Sequence, residues 1–300
     1  MRPYKKCKRS VAIMELSFKN ITKKYKSKQA LTDINITLHE GVYALLGPNG
    51  AGKSTLMNIL VGLIPATTGE VLLDGKNTVS LGADFRGLLG FLPQEPGFYP
   101  SFSGYDIMKY YADLKGVPDA QQRINELLEL VNLASDKKRR VGQYSGGMKR
   151  RLGIAVALLN APKILVMDEP SAGLDPEERI RLRNIISNIG FDRIVILATH
   201  IVSDVESIAD ECLLLKDGKL IASGTPDALK GKIAGKVWDV PCGQGDVRRY
   251  MADTPCTNII KSDSGTCLHI VSDERPADSA VSAAPGLEDV YVYYFNERSR

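Results

Sequence analysis

Residues 43–55 read Tyr43-Ala44-Leu45-Leu46-Gly47-Pro48-Asn49-Gly50-Ala51-Gly52-Lys53-Ser54-Thr55: an apolar strand, a glycine-rich turn, and the first residues of a helix whose apolar side runs from Leu56 to Val61. With Gly50 inside the turn, Gly47, Gly52, Lys53 and Ser54 satisfy the pattern G-x-x-x-x-G-K-[ST]. The glycines open backbone conformations closed to other residues, so successive N–H groups can turn inward onto a polyphosphate. The helix that follows adds its partly positive N-terminus. Lys53 brings a point charge to the β- and γ-phosphates, and Ser54 a hydroxyl suited to Mg²⁺. A merely structural strand-to-helix turn needs no Lys-Ser pair at its end, so the stretch is read as a phosphate cradle.

The rest of the composition narrows the class. Three hundred residues suit one full domain with a smaller addition. Hydrophobic residues make up 44% and charged residues 25%, enough for a real core, and a net charge of +4 is short of the basic profile of a dedicated nucleic-acid binder. Five cysteines form no C-x-x-C pair, and there are only three histidines, so a disulfide framework, a zinc site and a histidine-rich metal site are all poorly supported. A reducing cytoplasm fits. No run reaches the roughly 18 apolar residues that span a bilayer. The most apolar segment, Leu152 to Met167, is broken by Asn160, Pro162 and Lys163. The basic start, Met1 to Ser10, precedes too short an apolar run for a signal peptide. Any membrane link is expected to come through a partner.

Upstream of the cradle, Leu16, Phe18 and Ile21 precede a polar stretch, Lys23 to Gln29, read as a turn; Ile34, Ile36 and Leu38 then alternate with polar residues as in a half-buried strand. Tyr25 lies in that lysine-rich stretch, and is either a surface aromatic or a platform for a flat nucleobase. Downstream, Thr67 to Gly75 and Leu88 to Leu92 read as strands, broken by Pro93-Gln94-Glu95-Pro96-Gly97. Helical signals dominate from Ser103 to Leu133: Ser103 with Asp106 resembles a cap, and Ile124, Leu127, Leu128 and Val131 keep amphipathic spacing. Pro96 to Gln143 is therefore read as a helical insertion.

Gly146-Gly147 opens another helix, and Ile164 to Met167 is a short continuous apolar run, as in a strand buried on both faces. Asp168-Glu169-Pro170 stands at its C-terminal end, where open α/β sheets place ligands. A salt-bridged sheet edge would explain two acids there; with a complete cradle upstream, the stronger reading is a metal carboxylate, Asp168, followed by a general base, Glu169. Ile194 to Ala198 is a further buried strand, ending in Thr199-His200. Asp217-Gly218 marks a hairpin, and Thr225-Pro226-Asp227 starts a helix.

Taken in order, Gly47 to Thr55, Gln94, Tyr144-Ser145-Gly146-Gly147-Met148, Ile164 to Pro170, Ser171-Ala172-Gly173-Leu174-Asp175 and His200 resemble the motifs of ATP-binding cassette (ABC) ATPases, over roughly Met14 to Leu229. The Ser-Gly-Gly shortly before an Asp-Glu-Pro strand end separates this family from other P-loop enzymes. The resemblance implies an α/β P-loop fold with a mixed sheet, an antiparallel β subdomain and a helical subdomain. It implies ATP and Mg²⁺ as ligands, and ATP hydrolysis to ADP and phosphate. Tyr25 would stack on adenine. Lys53 and the loop residues Gly47, Pro48, Asn49, Gly50, Ala51 and Gly52 would hold phosphates, with Thr55 at the α-phosphate. Ser54 and Gln94 would coordinate Mg²⁺, with Asp168 acting on it through water. Glu169 would be the base, and His200 would clamp the γ-phosphate. Ser145, Gly146 and Gly147 would meet the γ-phosphate of a second copy in a head-to-tail dimer, with Asp175 communicating across it.

Taken singly, Asp175 is also explained as an N-cap, Gln94 as a loop residue and His200 as a structural histidine. The signature departs from the usual Leu-Ser-Gly-Gly-Gln at Tyr144 and Met148. Pro285 to Tyr291, followed by Tyr293-Tyr294-Phe295, resembles the end of cassettes that serve ABC-2-type exporters; a capped helix packing its aromatics on a C-terminal appendage accounts for the same residues. The expected organisation is a basic tail over 1–13, a cassette over 14–230 with its helical subdomain over about 96–143, and a small α+β accessory domain over 231–300. The expected function is the ATP-hydrolysing subunit of an ABC transporter, peripheral on the inner face of the cell membrane through a separate integral permease, and serving export. Phe98, Tyr99, Phe102 and Tyr105 are the candidate docking surface, and no nucleic-acid partner is expected. The alternative is a soluble cassette ATPase acting on ribosome or DNA, though this chain has one cassette and no coiled coil or zinc module.

Overall fold

In the computed structural model, which describes residues 14–243, 247–262 and 265–296, the short apolar runs assemble into one six-stranded sheet. Its strands lie in the order Lys219–Gly224, Glu211–Lys216, Gly41–Leu46, Ile194–Thr199, Ile164–Asp168 and Leu89–Leu92. The first two form an antiparallel hairpin through Asp217-Gly218, and every other pairing is parallel. The inner strands Gly41–Leu46, Ile194–Thr199 and Ile164–Asp168 are apolar almost throughout because both their faces are covered, whereas the edge strand Lys219–Gly224 stays partly exposed. Tyr43, Leu45, Ile164, Val166, Ile194 and Ile196 face one core, shared with the helix Lys53–Leu60 and an antiparallel sheet. Val42, Ala44, Leu46, Leu165, Met167, Val195 and Leu197 face the other, shared with the helices Gly104–Leu114, Ala120–Leu130, Gly146–Ala157 and Pro176–Ile189.

The antiparallel sheet runs in the order Lys28–Leu38, Leu16–Tyr25, Thr68–Leu73 and Lys76–Asn77. Leu16, Phe18 and Ile21 pair with Leu38, Ile36 and Ile34, which puts the alternating apolar residues on one buried face. The polar stretch expected as a turn is mostly strand. Lys24 pairs with Gln29 and Tyr25 with Lys28, leaving only Lys26-Ser27 to turn, with Lys26 in the left-handed region at φ 48°. A hairpin tip solvated on both faces carries polar residues without leaving the ladder, so composition misplaces its boundary. Tyr25 is thus the last residue of a strand.

Ser103 caps the helix Gly104–Leu114 through a reciprocal pair with Asp106, as its sequence suggests. Beyond Gly235, strands Cys256–Ser262, Gly265–Val271, Val237–Cys242 and Val281–Ser282 form a third, antiparallel sheet over a small core of Val240, Leu268, Ile270 and Ala280. The last helix, Leu287–Phe295, does not add its aromatic residues to that small core. Leu287 and Val290, spaced to share one face, are buried with Leu229 and Ile233 of the main core, and Tyr291, Tyr294 and Phe295 pack beside them. The basic stretch over residues 1–13 lies outside the described residues.

Candidate functional site

Four adjacent parallel strands deliver the site from their C-terminal ends. Leu46, leading into Gly47, pairs with Thr199, which leads into His200; Ala198 pairs with Asp168; Met167 pairs with Leu92, which leads toward Gln94. Motifs as far apart in sequence as Gly47 and His200 therefore meet along one sheet edge, as the parallel register enforces.

The cradle is tight. Gly52 sits at φ 108°, and a Cβ there would fall 2.7 Å from the Ala30 carbonyl oxygen and 2.8 Å from the Leu31 side chain. At Gly47 a Cβ would come within 2.3 Å of the Leu215 carbonyl oxygen. Lys53 is 6% exposed; its Nζ donates to the carbonyls of Gly47 at 2.6 Å and Pro48 at 3.3 Å, and lies 3.8 Å from Glu169 Oε1. Burial pulls the lysine pKa down, and the charges of Glu169 and Asp168 pull against it.

Glu169 is buried and holds φ 47°, a left-handed conformation that costs a non-glycine residue about 1–2 kcal/mol. Its N–H is tied to the Ala198 carbonyl at 2.8 Å. Its Oε2 accepts from Thr199 Oγ1 at 3.3 Å, and its Oε1 lies 2.9 Å from His200 Nδ1. Asp168, also buried, has its pKa raised by burial, with the Ser54 hydroxyl pulling it back. Its Oδ1 has no hydrogen-bond partner among the described residues. An orphaned buried carboxylate oxygen beside the Ser54 hydroxyl, with Ser54 and Gln94 lining one cleft, offers oxygen donors of the kind Mg²⁺ takes.

A cleft of about 270 Å³ is lined by Tyr25, Lys28, Ala30 and Asn49 together with Gly50, Gly52, Lys53, Ser54, Thr55, Gln94 and Glu169. Tyr25 is 45% exposed and carries Lys23 Nζ over one ring face at 5.0 Å. Lys28 escaped the sequence reading; the hairpin register that pairs it with Tyr25 was its signal. Arg150 also escaped, and no local pattern announces it. Its Nη1 donates to the carbonyls of Gln94 at 2.5 Å and Pro93 at 3.2 Å.

Ser145, Gly146 and Gly147 do not line this cleft. Ser145 and Gly146 are exposed at the start of the helix Gly146–Ala157, where Ser145 Oγ accepts from the Met148 N–H at 3.1 Å. The two signature departures have structural roles: the Tyr144 hydroxyl donates to the Asp136 carbonyl at 2.8 Å, and Met148 packs on the main core. Asp175 is exposed and caps the helix Pro176–Ile189 by accepting from the Glu178 N–H at 2.9 Å. Of the expected docking aromatics, Tyr99 and Phe102 are exposed and form a cluster with Tyr110, whereas Phe98 and Tyr105 pack on the main core.

Comparison with known proteins bears on the same residues. The sequence profile of the family described as ABC transporter matches residues 31–172. The lantibiotic transport ATP-binding protein SrtF of Streptococcus pyogenes is 41% identical over 69% of this chain and 89% of its own. The bacitracin transport ATP-binding protein BcrA of Bacillus licheniformis is 35% identical over 70% of each chain. Among solved structures, the ATP-binding subunit of an ABC transporter superposes with a TM-score of 0.66 at 26% identity, over 72% of this chain and 92% of that one. A dimeric ATP-binding cassette in a post-hydrolysis state with ADP and Pi superposes with a TM-score of 0.64 at 26% identity, over 70% of this chain and 98% of that one.

Proposed function

The chain belongs to the ABC transporter family as an ATP-hydrolysing, ATP-binding subunit, and from that premise we propose how its residues divide the work. Adenine stacks on the open face of Tyr25, with Lys28 beside it. The amides of residues 47–52 and the Lys53 ammonium receive the phosphates, and Thr55 contacts the α-phosphate. Ser54, Gln94 and Asp168 hold Mg²⁺, which when bound neutralises charge on the phosphate oxygens. Glu169 takes a proton from the water that attacks the γ-phosphate, and His200 clamps that phosphate. Ser145, Gly146 and Gly147 present the positive end of their helix to the γ-phosphate bound by a second copy, and Asp175 signals across that interface.

The observation that carries this reading is the position of one oxygen: Glu169 Oε1 stands between His200 Nδ1 at 2.9 Å and Lys53 Nζ at 3.8 Å. A carboxylate so placed can deprotonate a water next to the group that the lysine holds. Glu169→Gln tests it. MgATP turnover is expected to fall to background while ATP binding persists and size-exclusion chromatography shows an ATP-dependent dimer. Near-normal hydrolysis by the variant removes Glu169 from the role of base.

No described helix is long and apolar enough to cross a membrane. The partner is proposed to be a separate integral permease, seated on Tyr99, Phe102 and Tyr110 of the helical subdomain at the inner face of the membrane, with transport directed outward. The proposed organisation is a cassette over 14–230 with its helical part over about 96–143, an accessory domain over 231–300, and a basic tail over 1–13. A role on ribosome or DNA is not favoured, since the relatives are transport ATP-binding proteins.

A further inference from the structure

The helix Leu287–Phe295 is held at both of its sides by different parts of the molecule. In its first turn, the Asp289 side chain, 5% exposed, accepts from the Gly286 N–H at 2.8 Å and from Thr257 Oγ1 at 2.6 Å. It also lies 3.2 Å from His269 Nε2, whose Nδ1 lies 2.6 Å from Asp239 Oδ1. Thr257, His269 and Asp239 belong to three strands of the C-terminal sheet, so the start of the helix is fastened to the appendage.

Further along the helix the Tyr293 hydroxyl accepts from Lys236 Nζ at 2.5 Å and donates to Asp273 Oδ1 at 3.1 Å, which ties it again to the appendage, and other contacts reach the cassette. The Leu287 N–H donates to Glu206 Oε1 at 3.2 Å, and Lys216 Nζ to the Tyr294 carbonyl at 3.5 Å. Leu287 and Val290 share the core that holds Val202 and Val205. The helix packs against the turn Val202–Asp204, which begins two residues after His200. Tyr291, one turn beyond Leu287, stacks its ring on Phe295 at 4.4 Å. Tyr291 packs on the same core as Leu287, Val290, Val202 and Val205; burial raises its pKa, and the charge of Glu169 adds to the rise.

His200 needs such support. Its side chain is 45% exposed, so burial does not fix it, and its place opposite Glu169 depends on the backbone that follows it. That backbone is held by the Ile201 N–H on Thr199 Oγ1 at 3.0 Å and by the packing behind Val202–Asp204.

We propose that the Leu287–Phe295 helix is a positioning strap through which the C-terminal appendage sets the approach of His200 to Glu169, with Tyr291 as the residue that transmits it. Tyr291 would act indirectly, through the core it shares with Val202 and Val205 behind the turn. The strap rests on the assignment of Glu169 and His200 to hydrolysis. It also gives the appendage a part in turnover: whatever displaces that module loosens the histidine.

Steady-state ATPase of the full chain tests the strap. Displacing a catalytic group by about 1 Å can cost roughly 100-fold, so a loosened turn in Tyr291→Ala is expected to lower kcat about tenfold. The KM for ATP and the affinity for a non-hydrolysable analogue stay within about twofold, because residues 47–55 are untouched. Tyr291→Phe, which keeps the ring, restores most of the rate, and Asp289→Asn, which keeps the shape but turns one acceptor oxygen into a donor and loses the charge facing His269, lowers kcat in the same direction. Wild-type kcat in Tyr291→Ala, or a fall matched by lost ATP affinity, overturns the strap. If Tyr291→Ala does not fold, Asp289→Asn is read by the same two criteria. His200→Ala run alongside separates the premises: unaffected turnover there overturns the site assignment, whereas a loss there with none in the Tyr291 and Asp289 variants overturns the strap alone.

Discussion

Arg150 Nη1 donates to the backbone carbonyl of Gln94 at 2.5 Å, joining the helix that Ser145 caps to the loop that carries a proposed metal ligand. The arginine is 7% exposed, and burial lowers its pKa against the charges of Asp168, Glu169 and Glu95. The signature helix and the Gln94 loop, more than 50 residues apart in sequence, are thus tied together by one buried side chain. Arg150→Met leaves the Pro93 and Gln94 carbonyls without their donor. It is expected to destabilise the fold by about 2–3 kcal/mol in denaturant unfolding. Turnover should fall further than ATP binding.

Tyr25→Ala removes the proposed adenine platform and nothing from the phosphate cradle. Base stacking on an aromatic side chain contributes about 1–3 kcal/mol, so the KM for ATP is expected to rise roughly 5- to 150-fold with kcat little changed. Tyr25→Trp should retain wild-type affinity. Equal kinetics for Tyr25→Ala and wild type would return Tyr25 to the status of a surface aromatic beside Lys23.

His269 gives the appendage a pH signature. Burial pushes its pKa down, but the Asp239 hydrogen bond and the Asp289 charge outweigh it, and the net shift is upward from the ordinary value of 6.5. The sign follows from linkage: the stabilisation is full below that ordinary value and is lost as pH rises through the raised, folded-state pKa. The charge-assisted contacts are each worth on the order of 1 kcal/mol once partial exposure is discounted. Melting of wild type and His269→Gln from pH 5.5 to 8.5 is therefore expected to show a gap that is widest in acid and closes toward the alkaline end.

Wherever function depends on local spacing, the sequence was legible. The cradle from Gly47 to Thr55, the acid pair after Ile164–Met167 and the cap at Ser103 are each encoded within a few residues, and the fold they imply is the fold observed. Residues whose partners are remote were not legible. Arg150 gives no hint of Pro93 and Gln94, and nothing in Leu287–Phe295 says that its apolar face is matched to Val202 and Val205 instead of its own sheet. At Tyr144 the departure from the usual leucine was visible, but its cause was not: the hydroxyl reaches the Asp136 carbonyl, and the ring takes space that a side chain at Gly104 would need, a Cβ there falling 2.2 Å from the Tyr144 oxygen.

Ser145 and Gly146 lie open, outside the cleft that Lys53 lines, and in the proposed head-to-tail dimer each polypeptide would carry halves of two different pockets. Two inactive proteins can then rescue each other. In a mixed pair of Lys53→Met and Ser145→Arg chains, both lesions fall in one pocket, while the second combines an undamaged cradle with an undamaged signature. Mixing the two preparations is expected to restore measurable ATPase activity that neither has alone, and coexpression with affinity tags on each would isolate the hybrid. A pocket completed within one chain would show no such complementation.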